Sequence, residues 1–237
     1  MDEQLDQLME RASQALVRMD YLTCEALCLE ALTKARQQAA WAYYARILLP
    51  LQEARRQRRM IAAEGVIRLG TGGLEGSPDD WLNARQAGAC IVVTPPHTAD
   101  HARALDDAAR QARRHVEVLY ADTTDTDGAG DTWAVQSFRG PAVRTDVPAP
   151  PRSWRDQWLA GDAGPAGDSG DARMASAATP ADWFLDAAEQ LGDAALAQVS
   201  ADAPPAERLA ELEQRLDVVS DHEILHQRLG DAARAMR

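Results

Sequence analysis

The chain has 237 residues, and its 37 acidic side chains outnumber its 25 lysines and arginines, which gives a formal net charge of −12 at pH 7. This charge disfavours binding to nucleic acid, whose phosphates require clustered cations, and binding to anionic membrane surfaces. Lys34 is the single lysine, and it lies in a predicted helix far from any glycine loop, so no P-loop lysine is available. The many arginines and alanines are typical of a GC-rich, bacterial-type genome.

Neither secretion nor membrane insertion is expected. The sequence is charged from residue 2, which disfavours a signal peptide. No apolar run approaches the roughly 20 residues that span a bilayer. Cys24, Cys28 and Cys90 form an odd set without the spacing of a secreted disulfide framework. We therefore expect a cytoplasmic protein.

Residues 3–60 carry apolar side chains at helical spacing, which predicts two helices joined by a turn at 19–21. A third helix is expected over 39–62, with a kink at Pro50. The two stripes consist of Leu5, Leu8, Ala12, Ala15 and Met19, and of Cys24, Leu27 (or Cys28), Ala31 and Ala35.

This helical hairpin resembles a tetratricopeptide repeat over about one repeat. In that family a Gly-Asp-Tyr-like turn precedes small and bulky residues at fixed positions, which here are Cys24, Cys28, Ala31 and Leu32. Met19 replaces the usual glycine, and the closing proline is missing. A weaker likeness lies within 181–200. The resemblance implies a groove for peptides or partner helices, and about three repeats are usually needed to bury such helices, so other segments must cover this one.

The central part of the chain predicts a small α/β unit. Residues 89–93 form an unbroken apolar run, which is typical of a strand buried on both faces in a parallel sheet. A helix capped by Thr98 follows, and then an alternating strand over 115–121. Further strands are expected at 65–69 and 133–138. The predicted fold is therefore α/β plus helical, with a mostly parallel sheet of about four strands and repeat-like helices at both ends.

Composition suggests four regions along the chain: helical 1–62, α/β 63–147, a linker rich in Pro, Gly and Asp over 148–180, and three helices over 181–237. Trp154 and Trp158 suggest that part of the linker packs back on the protein. We expect the terminal helices to share one layer. Their C-terminal stripes contain Phe184, Ala188, Leu191 and Ala195, then Leu209, Leu212, Leu216 and Val219, then Leu225, Leu229, Ala232 and Met236.

Residues 222–226 read HEILH, which matches the HExxH pattern of zinc hydrolases. On a helix, His222 and His226 would face one way and bind Zn, and Glu223 would polarise the bound water. A third ligand is not evident downstream, because Leu229 and Ala232 stand at the positions of the extended pattern. The competing interpretation is an amphipathic helix capped by Asp221.

A second alternative is a small-ligand or nucleotide site at the carboxyl ends of the strands. Gly70, Gly72 and Gly73 lie in a loop between a strand and a helix, and Thr94 and His97 follow the next strand. The spacing does not match GxGxxG, and the loop 70–76 is followed by acidic residues. Three loops, at 70–76, 94–97 and 122–131, would meet at one edge of a parallel sheet.

Three weaker patterns have plain structural interpretations. His97 and His101 could share a metal but lie at a loop–helix junction. The aspartates within 122–131 partly match a calcium loop and are interpreted as a solvated turn. Cys24 and Cys28 occupy core positions, and the arginine run at 55–59 is interpreted as a solvated face or a contact for an acidic partner.

The sequence as a whole favours a non-catalytic adaptor or scaffold that binds a protein partner, without a cofactor. A zinc hydrolase or a ligand-binding α/β domain are the alternatives. The partner, the strand order and the oligomeric state stay open.

Overall fold

The computed structural model describes residues 3–83, 88–123, 132–163 and 178–236. The chain divides into two compact units, a helical unit of Met1–Arg58 with Ala195–Arg237 and a sheet unit of Arg59–Ala194. Among the described residues, no helix has the length and apolar character needed to cross a membrane.

The N-terminal part of the helical unit consists of α1 (Glu3–Val17), α2 (Tyr21–Gln37) and the first part of α3 (Trp41–Glu64). Helices α1 and α2 pack against each other, and α3 continues through Pro50 without a break in its helical assignment. The predicted stripes are buried, except that Met19 is 71% exposed because it lies in the turn and not on a helix. Buried on the inner faces are Leu5, Leu8, Ala12, Ala15, Cys24, Cys28, Ala31 and Ala35.

The C-terminal part of the helical unit contains the end of α6 (Pro180–Ala197), together with α7 (Pro205–Leu216) and α8 (Glu223–Ala235). Polar contacts join this part to the N-terminal helices. Glu213 on α7 pairs with Arg36 and accepts a hydrogen bond of 2.6 Å from the Tyr44 hydroxyl. Arg55 donates to the carbonyl oxygen of Ser220 at 2.8 Å. Both ends of the chain therefore contribute to one helical unit.

The sheet unit contains six strands among its described residues: β1 (Val66–Leu69), β2 (Ala89–Val93), β3 (Val116–Asp122), β4 (Thr132–Gln136), β5 (Arg144–Pro148) and β6 (Trp158–Ala160). Their order across the sheet is β5-β4-β3-β2-β1-β6. Strands β1, β2 and β3 are parallel, whereas β4, β5 and β6 are each antiparallel to their neighbours.

The sheet is thus mixed and larger than the mostly parallel, four-stranded sheet predicted from sequence. The four expected strands are present with slightly shifted ends, and the fourth of them is antiparallel. Strand β6 lies within the predicted linker, where Trp158 pairs with Arg68 of β1 and Trp154 is 2% exposed. The aromatic side chains of this segment pack back on the protein because they bury apolar area that a solvated linker would leave in water.

Two helices that lie wholly within the sheet unit, α4 (Pro78–Asn83) and α5 (Ala99–Gln111), pack on one face of the parallel strands. Trp81 of α4, Ile91 of β2 and Leu105 of α5 belong to one buried cluster. All five residues of β2 are buried, as its unbroken apolar run predicts. Because both crossovers leave toward the same face, the described sheet has no switch point between β1 and β2 of the kind that opens a ligand crevice in doubly wound folds.

Candidate functional site

The carboxyl ends of β1 and β2 are joined by a hydrogen-bond network around Thr71, which is fully buried. The Thr71 hydroxyl donates to the carbonyl oxygen of Thr94 at 3.0 Å and accepts from the backbone N–H of Thr94 at 3.0 Å. The Thr71 N–H donates in turn to the Thr94 hydroxyl at 3.0 Å. The loops after the two strands therefore meet at this edge of the sheet.

His97 completes this network, with its Nδ1 atom 3.1 Å from the Thr71 hydroxyl oxygen. The Thr71 hydroxyl already donates its proton to the Thr94 carbonyl, so it can only accept from His97. The Nδ1 atom of His97 must therefore be protonated and donate, which leaves Nε2 unprotonated in the neutral ring. Burial, and then the charge of His101, lower the pKa of His97. His101 uses its Nδ1 to accept from the Thr98 N–H at 3.2 Å. Local hydrogen bonds therefore hold both histidines in place.

In the glycine loop after β1, the N–H groups of Gly70 and Gly72 form hydrogen bonds with other parts of the protein. Gly70 N–H donates to the Val92 carbonyl at 3.1 Å, and Gly72 N–H donates to an Asp156 carboxylate oxygen at 2.7 Å. A carboxylate therefore stands where a phosphate would have to bind, and its charge would repel one. Gly70 has φ +100°, and a Cβ at Gly72 would lie 2.8 Å from Asp156, so the glycines fit this close approach. Gly73 makes no such contact.

The HEILH residues are arranged differently from a zinc-binding helix. His222 is the N-cap of α8, where its Nδ1 accepts from the Leu225 N–H at 3.3 Å, so His222, and not the predicted Asp221, caps the helix. Glu223 is exposed and bonded to Gln227 at 2.8 Å. Within the described part of the chain, His226 belongs to no group of three or more side chains that could share a metal ion. The two histidines and the glutamate thus do not form one site.

His226 is instead a buried residue that forms a hydrogen bond inside the helical unit. It is 2% exposed, and its Nε2 lies 2.9 Å from the Ser220 carbonyl oxygen, which can only accept, so Nε2 carries the proton. Burial, followed by the positive charge of Arg55, lowers the pKa of His226 to about 4. The imidazole is therefore neutral at pH 7 and acts as a structural hydrogen-bond donor.

An ion-pair cluster next to His226 was not predicted from the sequence. Glu25 on α2 is 5% exposed and pairs with Arg55 at 2.9 Å and with Arg58, both on α3. The interpretation of this arginine run as a solvated face is wrong for Arg58 and Arg59, which are buried, and for Arg55, whose side chain is 11% exposed. The only sequence feature that could have predicted this cluster was weak, because it consists of Glu25 directly following Cys24 of the apolar stripe.

The remaining candidates are structural or lie outside the described residues. Cys24 and Cys28 are fully buried free thiols, and their mutual hydrogen bond, with burial, raises the pKa of Cys28. The Cys28 thiol therefore stays protonated and unreactive, whereas the same hydrogen bond lowers the pKa of Cys24. Of the predicted calcium-like loop, residues 124–131 lie outside the part of the chain that the structure describes.

The helical unit also contains a groove with a partly aromatic lining. It has a volume of about 520 Å³ and lies between the α2–α3 turn and the end of α8. We call it the Trp41 groove. Its lining consists of Ala39, Ala40, Trp41, Ala42, Tyr43, Ala233, Arg234 and Met236.

The aromatic side chains of the Trp41 groove are held in place by neighbours in the helical unit. The Tyr43 hydroxyl donates to Asp6 on α1 at 2.8 Å, and the Arg46 guanidinium lies 5.4 Å from the centre of the Tyr43 ring. Trp41 contacts Tyr44, with 6.0 Å between ring centres. The aromatic surface is thus largely formed before any ligand binds.

Comparisons with protein-family models, with curated proteins and with solved structures found no match to this chain.

Proposed function

We propose that the chain is a non-catalytic adaptor that binds an apolar segment of a partner protein in the Trp41 groove. The observation that carries this proposal is the half-buried pair of Trp41 and Tyr43 beside Arg234 and Met236. Tryptophan, tyrosine, methionine and arginine are the residue types enriched at protein interfaces. A rigid aromatic surface also loses little entropy on binding.

Sequence likeness supports the same proposal. The groove begins at the turn that follows α2, the second helix of the hairpin that resembles a tetratricopeptide repeat. That resemblance implies a surface for peptides or partner helices. A segment with apolar side chains at helical spacing would place two or three of them against Trp41, Tyr43 and Met236, in the manner of helix-in-groove recognition.

The geometry favours this role over the two alternatives. A zinc hydrolase needs His222 and His226 to converge, but each imidazole is engaged in the hydrogen bonds that shape the start of α8. A nucleotide site needs free N–H groups in the glycine loop, but the Gly72 N–H already donates a hydrogen bond to the Asp156 carboxylate. For the Trp41 groove to bind a partner, no hydrogen bond of this kind has to be broken.

Site-specific photo-crosslinking in cells of the source organism tests the proposal. A photoreactive amino acid at Ala42, which is exposed in the groove, should yield a distinct crosslinked partner that mass spectrometry identifies. The same amino acid at Ser13, an exposed position on α1, is the matched control and should not capture that partner. Equal capture at both positions, or none at Ala42, would contradict the proposal.

Binding of the identified partner to the purified protein then measures the contribution of the aromatic surface. Trp41→Ala should weaken the affinity by at least about tenfold, as is typical of a central interface tryptophan, and Trp41→Phe should weaken it less. Circular dichroism checks that both variants stay folded. An unchanged affinity in Trp41→Ala would show that the partner binds elsewhere.

A further inference from the structure

Another cavity of the helical unit lies among the end of α6, α7 and α8 and has a volume of about 450 Å³. Its apolar lining consists of Leu196, Val199, Leu212 and Ala232, and Arg208 and Arg228 supply charge. We call it the arginine pocket. A volume between roughly 300 and 1,000 Å³, with apolar walls and a few charged groups, is typical of small-molecule sites.

Among the described residues, the two arginines of this pocket have no acidic partner. Arg208 is half-buried and donates one N–H to the Ala201 carbonyl at 3.2 Å, which fixes the guanidinium at the wall. Arg228 is exposed, and within the described residues neither arginine forms an ion pair. This leaves most of their N–H donors directed at solvent or at a ligand.

Two carboxylates of this region accept hydrogen bonds from groups outside the pocket lining. Asp231, which also lines the pocket, accepts from Arg234 at 2.9 Å. Glu211 on α7 accepts from the Ser200 N–H at 2.9 Å. The lining of the pocket thus contains two positive side chains and one negative side chain, although the whole chain has a formal net charge of −12.

We infer that the arginine pocket binds a small amphipathic oxyanion, a molecule with one carboxylate or phosphate group and an apolar body. Guanidinium groups bind such oxyanions through paired, charge-assisted hydrogen bonds. The apolar body lies on Leu212 and Val199. A helix is about 10–12 Å across with its side chains and needs a groove several turns long, so a pocket of this size fits a small molecule better.

This site is independent of the proposed adaptor function. The arginine pocket shares no lining residue with the Trp41 groove. Failure to find a protein partner therefore leaves this inference standing, and the reverse also holds.

Isothermal titration calorimetry of the full chain with three probes of equal apolar length tests the inference. Octanoate carries a carboxylate, octyl phosphate carries a phosphate, and octanol is the neutral reference. At least one anionic probe should bind with a Kd below about 1 mM and at least about tenfold more tightly than octanol. The stronger of the two anions identifies the head group. Octanol binding as tightly as both anions would overturn the inference.

Variants assign the binding to the pocket. The double variant Arg208→Met, Arg228→Met should weaken the anionic probe by about tenfold or more and leave octanol unchanged. Arg18→Met, at an exposed position on the unrelated α1–α2 turn, should bind like the parent chain. Val199→Trp fills the cavity while keeping both arginines, so it should weaken every probe. Undiminished anion binding in both pocket variants, each checked for its thermal unfolding, would place the site elsewhere.

Discussion

Met19 and Ala39 both have left-handed backbone conformations, with φ of 59° and 52°, although neither is glycine. Each residue lies just after the C-terminal end of a helix, and the same type of backbone hydrogen bond closes both helices. Asp20 N–H donates to the Ala15 carbonyl in the first turn, and Ala40 N–H donates to the Ala35 carbonyl in the second, as in a Schellman motif. Methionine and alanine thus occupy positions in these turns where glycine is usual, at an energetic cost.

Met19→Gly and Ala39→Gly should each stabilise the chain. A side chain in this conformation costs about 1–2 kcal/mol, and glycine loses about 0.5–1 kcal/mol of backbone entropy, so the net gain should be about 0.5–1 kcal/mol. Urea unfolding followed by circular dichroism measures the change. As a control, Lys34→Gly within α2 should destabilise by about 1 kcal/mol. A loss of stability in both turn variants would show that the left-handed turns are not strained.

His226 should make the stability of the protein depend on pH. Its pKa is about 4 in the folded chain against an ordinary value of 6.5, because burial and then Arg55 disfavour the charged form. Above about pH 6.5 the histidine is neutral in both states and has no effect. As the pH falls below that value, the unfolded chain takes up the proton first. We therefore expect His226 to remove about 3 kcal/mol of stability between about pH 6.5 and pH 4.

Urea unfolding at a series of pH values tests this dependence. His226→Gln keeps a donor for the Ser220 carbonyl but cannot titrate, so its stability should fall less steeply than that of the parent chain over the same range. Glu25, Arg55 and His222 are the other ionisable groups that act on His226, and they remain in both proteins. Equal slopes in the parent and His226→Gln would contradict the assignment.

At the scale of elements, α2 and α3 are joined by the buried cluster of Glu25, Arg55 and Arg58. Removing the acid takes away the negative charge that balances these two arginines in a largely desolvated environment. Breaking a buried ion pair in this way is typically far more damaging than loss of a surface pair. The Lys34–Glu30 pair of α2, at 3.2 Å and with half of the glutamate side chain exposed, provides the comparison within the same helix.

Glu25→Gln should therefore destabilise the protein by about 3 kcal/mol or more, whereas Glu30→Gln should change its stability by about 0.5 kcal/mol or less. Chemical unfolding of the two variants and the parent gives both values. High salt should reduce the effect at Glu30 but hardly change that at Glu25, because buried pairs are little screened. Similar effects at the two positions would mean that Glu25 is solvated in solution.

Elements with a strong local pattern could be predicted from the sequence, and those fixed by distant contacts could not. The apolar run of β2, the cap at Thr98 and the stripe of Leu209, Leu212 and Leu216 all have the predicted character. Strands β5 and β6 are short and rich in polar or aromatic residues, as edge strands often are, and so lack an alternating signal. The pairing of β6 with β1 joins residues about 90 positions apart, which no local pattern can reveal.

The candidate sites show the same limit. The HExxH spacing places two histidines on one face only if both lie within the helix, but the helix begins one residue after His222. The glycine loop has the right context for phosphate, but Asp156, more than 80 residues away, occupies its N–H group. The Trp41 groove and the arginine pocket each combine residues from distant segments of the chain, so periodicity alone could not identify them.

At the scale of the whole molecule, the helical unit consists of two segments from opposite ends of the chain. The Tyr44 hydroxyl, on a residue 3% exposed, depends on Glu213 for its acceptor, and Arg55 depends on the Ser220 carbonyl. A fragment that ends after α3 would leave these groups without partners. Short helices without tertiary packing are also marginally stable in water.

Fragments 1–64 and 180–237, which keep α3 and α6 whole, should each lack a cooperative thermal transition when isolated. Mixed in equal amounts, they should gain helicity in circular dichroism and show one cooperative transition, because the polar contacts and apolar faces are then completed. Glu213→Gln in the second fragment removes the charge that faces Arg36, so it should weaken the association by several-fold. Glu207→Gln, at an exposed position on the same helix, is the matched control and should have little effect. If fragment 1–64 alone unfolds with the same midpoint as the mixture, the N-terminal helices are self-sufficient and the C-terminal segment is not part of their core.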